Sequence, residues 1–329
     1  MTPTMRAAIL ERNDHPLRLA TVPRPVAGPG QVLVRIKASG TNPLDLKIAE
    51  GAAAHARHPA PSILGLDMAG VVESIGPEVT GFATADPVYG MVGGVGGIQG
   101  TLAEFAAVDA DLVAPKPANL SYREAAVLPL VAITAWEGMV DRMKVGPGES
   151  LLVLGGSGGV GRLAIQLGLA FGAEVHATAS AGDRTLVEHF GATFIDRNEP
   201  VAGYVNRLTG GRGFDRVYDT VGGPVLDDAF MAVAKFGNVA SALGWGTHAL
   251  APLSFKAATY SGVFTLMPLL TDEGRSHHGE ILRAVTRLVE AGRLRPGLDP
   301  QLFTLSTVNE AHQTLARRHT QGKIAIEID

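Results

Sequence analysis

Hydrophobic and polar residues follow two different rhythms along this chain, and the change falls near residue 121. From residue 5 to about 120 the apolar runs are short and punctuated by Gly, Pro and Asp. Examples are Val32-Leu33-Val34-Arg35-Ile36, Ala69-Gly70-Val71-Val72-Glu73-Ser74-Ile75-Gly76 and Asp86-Pro87-Val88-Tyr89-Gly90. Short strands closed by turn residues predict a β-rich, barrel-like first part. Beyond it, the pattern predicts strand 151–155, helix 160–171, strand 174–179, helix 183–190, strand 193–195, helix 200–209, strand 214–219, helix 224–235 and strand 237–243. Alternation of this kind means crossover units and a doubly wound parallel sheet, an α/β domain. The helix at 183–190 shows the logic: Asp183 starts it, Leu186, Val187 and Phe190 share a face, and Gly191 stands just past its end.

After the sheet, Val263-Phe264-Thr265-Leu266-Met267 predicts a further strand, and Ile281, Leu282, Val285, Leu288 and Val289 form a helical stripe ending near Gly292. The tail Lys323-Ile324-Ala325-Ile326-Glu327-Ile328 alternates as a half-buried strand should. Such a tail does not extend a parallel sheet naturally, so it is expected to return to the first domain.

Between the apolar run Leu151-Leu152-Val153-Leu154 and the helical Leu163-Ala164-Ile165-Gln166-Leu167 lies Gly155-Gly156-Ser157-Gly158-Gly159-Val160-Gly161. Gly156-x-Gly158-x-x-Gly161 fits the dinucleotide fingerprint: one glycine for the tight turn, one for close approach of a pyrophosphate, one for helix packing. A helix N-terminus supplies free N–H groups to phosphates. Gly93-Gly94-Val95-Gly96-Gly97-Ile98-Gln99-Gly100 is as rich in glycine but lacks the strand–helix frame. It reads as a flexible loop, with a lid over a substrate as the alternative.

Length and composition narrow the picture. The 329 residues suggest two domains. With 28 Lys+Arg against 32 Asp+Glu, the net charge of −4 gives no reason to expect nucleic acid or an anionic membrane as partner. There is no cysteine, which excludes disulfides, thiol nucleophiles and Cys-based metal sites. The first residues run directly into Ala7-Ala8-Ile9-Leu10 with no long apolar region, so neither a signal peptide nor a membrane span is expected and the cytoplasm is the expected location.

The end of the second strand decides which dinucleotide is preferred, because a carboxylate there accepts from a ribose 2′-hydroxyl and repels a 2′-phosphate. This strand ends Ala177-Thr178-Ala179-Ser180, with Arg184 following. Ser180 donating to a phosphate and Arg184 pairing with its charge, worth roughly 1.5–3 kcal/mol per charge-assisted bond, favour NADPH over NADH.

Taken together, these segments resemble the zinc-independent quinone oxidoreductases of the medium-chain dehydrogenase/reductase superfamily, over essentially the whole chain. The resemblance is carried by Thr41-Asn42-Pro43-Leu44-Asp45, Gly65-Leu66-Asp67-Met68-Ala69-Gly70-Val71-Val72, Gly100-Thr101-Leu102-Ala103-Glu104-Phe105, Ala125-Ala126-Val127-Leu128-Pro129-Leu130, Thr134-Ala135-Trp136, Asp219-Thr220-Val221-Gly222-Gly223 and Gly322-Lys323-Ile324. It implies a GroES-like β-rich domain from 1–122 and 268–329, and a Rossmann NADPH domain from 123–267. It also implies that Thr134 lies near the nicotinamide and its ribose, that Val221, Leu243, Gly244 and Phe264 line the cofactor's far side, and that Lys323 approaches the 2′-phosphate.

Two departures from the pattern matter. Asp196-Arg197 stands where relatives often carry Asn-Tyr against the adenine, so Arg197 is expected to stack on the base or bind phosphate. The segment Leu46-Lys47-Ile48-Ala49-Glu50-Gly51 lacks the tyrosine that often follows Asn-Pro-x-Asp, so no general acid is assigned. Too few metal ligands at suitable spacing remain for zinc, and His55, His58, His277 and His278 make no ligand set. Without a metal to polarise a carbonyl, an already activated small-molecule electron acceptor is expected: a quinone first, an alkenal or enoyl thioester next. Asn42 and Tyr89 are the candidates to hydrogen-bond its oxygen, with Asp45 orienting Asn42 or the loop. A non-enzymatic NADPH-binding role is the alternative class. A homodimer is expected by resemblance, pairing through the apolar segment 263–270.

Overall fold

The structure is a computed structural model that describes residues 3–317 and 320–328. The chain divides into two compact units: residues up to Leu130 together with those from Leu266 onward, and Val131–Thr265 between them. The first boundary lies at 130 rather than 122 because the helix Tyr122–Ala126 packs on the strands Gln31–Gly40 and Asp67–Ile75 of the first unit.

The second unit holds one parallel sheet of six strands. Across it the strands run Thr193–Asp196, Glu174–Ala179, Ser150–Leu154, Phe214–Asp219, Val233–Ser241 and Thr259–Gly262. By order in the chain this is 3-2-1-4-5-6, the strand order of a dinucleotide-binding sheet. Its first strand is buried at every position, as a strand flanked on both sides must be. Leu152, Leu154, Ile195, Phe214, Val217 and Val239 from the strands close over Tyr204, Leu226 and Phe230 from the helices to make the core.

Two elements differ from the sequence pattern. The helix expected over 224–235 ends at Ala232, where Lys256 Nζ donates to the carbonyls of Phe230, Met231 and Val233 at 3.1, 2.6 and 2.8 Å. A cation on the last carbonyls stabilises that stop. The sixth strand is Thr259–Gly262, not Val263–Met267, because Pro268 starts the helix Met267–Thr271 and the chain has turned by then. The expected dimer segment 263–270 is therefore not an edge strand; Thr259–Gly262 is.

The first unit is β-rich. Its seven-stranded sheet includes Gln31–Gly40, Asp67–Ile75 and Pro87–Met91, and a second sheet joins Thr4–Leu10 to Arg18–Pro23 and Ser62–Ile63. The tail strand Ala325–Glu327 pairs antiparallel with Gln31–Gly40, Ala325 opposite Gly40, so it does return to the first unit. The glycine run 93–100 is a packed turn rather than a free loop. Val95 is fully buried, Gly94, Gly96 and Gly97 have positive φ, and a Cβ on Gly93 would lie 2.0 Å from Gln99 O. Among the described residues no helix is long and apolar enough to cross a membrane.

Candidate functional site

The strand Ser150–Leu154 delivers the glycine turn, and each glycine answers a different constraint. Gly155 adopts φ +85°, so the tight turn falls one residue before the three fingerprint glycines. Gly156 donates to Thr178 O at 2.8 Å, and a Cβ there would sit 2.7 Å from Ala177 Cβ. At Gly161 a Cβ would lie 2.1 Å from Gly155 O, so only glycine lets the helix Gly159–Ala170 close on the turn. Gly158 caps that helix with no side chain to accept from it, and a Cβ there would meet only Gly155 O, at 3.4 Å. The first N–H groups of the helix, from Gly159 and Val160, therefore face outward with no intrahelical acceptor, beside Ser157. A helix start of this kind can cradle a phosphate.

At the end of the second strand the charges are arranged otherwise than expected. Ser180 Oγ donates to Asp183 Oδ2 at 2.6 Å, so a carboxylate stands at this end after all, three residues on from the strand. Arg184 pairs with Glu188 at 3.2 Å and lies 4.2 Å over the Phe194 ring. The arginine that belongs to the turn is Arg162: its Nε donates to Ser157 O at 2.8 Å, and its guanidinium is half-buried. Burial pushes its pKa down while the Asp183 charge opposes the shift. Arg197 follows the third strand, its N–H donating to Ala179 O at 2.9 Å and its side chain exposed.

On the other side of the turn, Asp219 acts as a buried bracket. Its Oδ1 accepts from the N–H groups of Val221 and Gly222 at 2.9 and 3.0 Å, and its Oδ2 from Ser241 Oγ at 2.7 Å. Ser241 Oγ in turn accepts from Leu243 N–H at 3.1 Å. One carboxylate thus fixes the ends of two adjacent strands and, with them, Val221, Leu243 and Gly244. Gly244 needs its hydrogen side chain, because a Cβ would lie 2.0 Å from Tyr260 Oη. Thr134 is buried, its Oγ1 3.1 Å from Thr265 Oγ1, and Thr265 donates to Glu137 at 2.8 Å. Tyr218 Oη donates to Thr134 O at 2.7 Å. Phe264 is half-buried and meets Trp245 edge-on. Asp219 was quoted above only as part of a motif; its two N–H acceptances depend on a turn that strand periodicity does not reveal.

The first unit gathers Asn42, Asp45, Asp67 and Lys323 into one buried cluster. Asn42 precedes the helix Pro43–Ala49, and its N–H donates to Asp45 Oδ2 at 2.7 Å in a capping box. Asn42 Nδ2 donates to Asp67 Oδ2 at 3.0 Å, and Lys323 Nζ donates to Asn42 Oδ1 at 2.5 Å and pairs with Asp67 at 3.2 Å. Asp67 Oδ1 accepts from Leu130 N–H at 2.9 Å. Burial pushes both carboxyls up, Asp45 to about 7, and Lys323 opposes this for Asp67.

Three expectations are corrected here. Asn42 is 1% exposed and both ends of its amide are committed within the cluster, so it has no donor to offer an acceptor molecule. Tyr89 is fully buried, its hydroxyl donating to Leu282 O at 2.8 Å and lying 3.0 Å from Thr286 Oγ1, which makes it a core residue. Lys323 serves Asp67 and Asn42 rather than a phosphate. The cluster does not suit zinc, since an ammonium already lies against the buried Asp67 carboxylate. Among the described residues no three His, Cys, Asp or Glu side chains gather to hold a metal.

Comparison with known proteins agrees with this architecture. A family described as alcohol dehydrogenase GroES-like domain matches residues 28–118, and one described as zinc-binding dehydrogenase matches 190–326. The chain is 36% identical over 304 residues to a 2-methylene-furan-3-one reductase of Solanum lycopersicum, covering 90% of this chain and 71% of that one. It is 33% identical to an NADPH-dependent alkenal/one oxidoreductase, chloroplastic, of Arabidopsis thaliana, covering 90% and 72%. A crystal structure of an alcohol dehydrogenase superfamily protein from Novosphingobium aromaticivorans superposes with a TM-score of 0.98 at 55% identity, over 99% of this chain and 100% of that one.

Proposed function

The chain is an oxidoreductase of the medium-chain dehydrogenase/reductase superfamily, and from that premise we propose that it is an NADPH-dependent, zinc-independent reductase of α,β-unsaturated carbonyl compounds. The observation that carries the reading is the glycine turn with its outward-facing helix start, a phosphate cradle whose shape depends on Gly161, where a Cβ would clash with the turn's own backbone. Bound NADPH supplies a hydride to the electrophilic carbon of the acceptor.

The chain's own share is to hold and orient. The N–H groups of Gly159 and Val160 take the pyrophosphate, with Arg162 fixed behind Ser157 O to balance its charge. Asp219 keeps Val221, Leu243 and Gly244 in one arrangement against the cofactor's far side. The proton that completes the reduction comes from solvent, since Tyr89 is buried and engaged. One hydride and one proton add across the double bond and leave it saturated.

An alkene acceptor is favoured over a quinone because both curated relatives described above are named for it. NADPH is favoured by the name of the second relative, against the Asp183 carboxylate that accepts from Ser180 at the strand end. Loss of NADPH absorbance with a panel of enones and a panel of quinones tests the reading. Turnover of enones is expected, whereas tight NADPH binding with no turnover of either panel would favour the non-enzymatic role. Turnover confined to quinones would replace the acceptor named here.

A further inference from the structure

We propose that Trp245 is an acceptor-recognition residue, selecting hydride acceptors with a flat, conjugated apolar body. The proposal rests on the reading above and deepens it. Trp245 is 53% exposed, yet the loop that carries it is tied down at several points. Its N–H donates to Leu243 O at 2.8 Å, and its carbonyl oxygen lies 3.2 Å from His248 Nε2. His248 Nδ1 is 3.0 Å from Asp227 Oδ1, a bond that raises the His248 pKa and pins the loop to the helix Pro224–Ala232. Phe264 braces the indole edge-on, ring centroids 6.0 Å apart at 89°.

Holding a large apolar ring in one orientation while leaving half of it in water gives nothing to stability that full burial would not give better. A pre-oriented exposed aromatic is instead a platform for a ligand. Its place in the fold says which ligand. The loop springs from the carboxyl end of the strand Val233–Ser241, the end at which ligands bind in parallel sheets. Val221, 46% exposed, emerges from the neighbouring strand end and presses on the glycine turn, where a Cβ on Gly155 would meet its Cγ2 at 2.6 Å. Leu243 and Gly244 are the residues the proposed function sets against the cofactor, and Trp245 follows them directly on the same loop, tied to Leu243 O, which is the side from which an acceptor would approach. The face of an indole is itself apolar and planar, so stacking on it favours a body that is apolar and flat.

The test compares 4-phenyl-3-buten-2-one with 3-buten-2-one, which share the enone and differ in the flat ring. The wild type is expected to prefer the phenyl compound, and Trp245→Ala to lose about tenfold of that preference, mainly through KM, with Trp245→Phe retaining part of it. NADPH affinity, measured by titration, is expected to stay the same in both variants. Without turnover, the phenyl compound added to the NADP+-loaded protein should quench a component of tryptophan fluorescence that Trp245→Phe lacks.

An unchanged preference ratio in Trp245→Ala overturns the proposal. So does a loss of NADPH affinity that accounts for the whole effect, or a change in oligomeric state by light scattering, which would assign the ring to a second copy of the chain. A wild type that binds NADPH yet reduces neither compound removes the activity proposed above, and the quenching titration then decides the role of Trp245 by itself.

Discussion

Asp45 gives the clearest quantitative prediction. Burial and the neighbouring Asp67 charge push its pKa up, while the bond its Oδ2 accepts from Asn42 N–H, the Lys323 charge and the Gly65 backbone N–H pull it down. Burial holds the carboxyl at about 7, against 3.8 for an ordinary aspartate. In the unfolded chain the proton leaves near the lower value, in the folded chain near the higher one. Between them the folded state binds more protons, so this residue makes stability fall as pH rises through that window, by about 1.4 kcal/mol per pH unit, and levels off above it. From pH 5 to pH 8 the loss is about 2–3 kcal/mol.

Asp45→Asn keeps an oxygen for the Asn42 N–H and removes the charge. Unfolding midpoints in urea for wild type and variant at the two pH values read the difference directly. The variant is expected to gain about 2–3 kcal/mol on the wild type between pH 5 and pH 8. Parallel pH profiles would mean that Asp45 is ionised in the folded protein at little expense, and the account of the cluster would fail.

Further outcomes follow from the same geometry. Gly161→Ala should abolish NADPH binding by titration and lower the thermal midpoint, because backbone rather than a flexible side chain stands 2.1 Å from the new Cβ. Tyr89→Phe should cost about 1 kcal/mol in unfolding experiments, from the loss of the buried hydroxyl's hydrogen bond to Leu282 O, and leave kcat unchanged. Asp183→Asn should shift the ratio of NADPH to NADH affinity toward NADPH by about tenfold, since removing one negative charge beside Ser180 favours a phosphate there; an unaltered ratio would mean the ribose lies elsewhere. The open edge of Thr259–Gly262 is expected to pair with a second copy of the chain, so light scattering should give twice the chain mass, and Ser261→Pro should halve it.

What the sequence revealed was local. The glycine turn was legible because three glycines, an apolar strand and a helical stripe lie within about twenty residues, and each constrains the next. The returning tail was legible from its alternation. Tyr89 was misjudged because alternation says that a residue faces inward but not that Leu282 and Thr286, far along the chain, will take its hydroxyl. The same holds for Lys323, which meets Asn42 across 281 positions. Asp183 shows in the sequence only as a helix start, whereas a short 3-10 turn over Ala181–Asp183 brings its carboxylate back to the strand end. Side chains that report their partners through tertiary folding leave no periodic trace.

The pairing of Ala325–Glu327 with Gln31–Gly40 also bears on how the protein is made. A ribosome releases the residues of the middle unit as one uninterrupted stretch, so that unit can fold while synthesis continues. The first-made strands cannot finish their sheet until the final described strand emerges, and until then the Ala38–Gly40 end of Gln31–Gly40 presents an open backbone edge. Shortening the chain by a few residues before Ala325 would therefore leave the middle unit sound while the oldest part of the nascent chain became the part most exposed to aggregation.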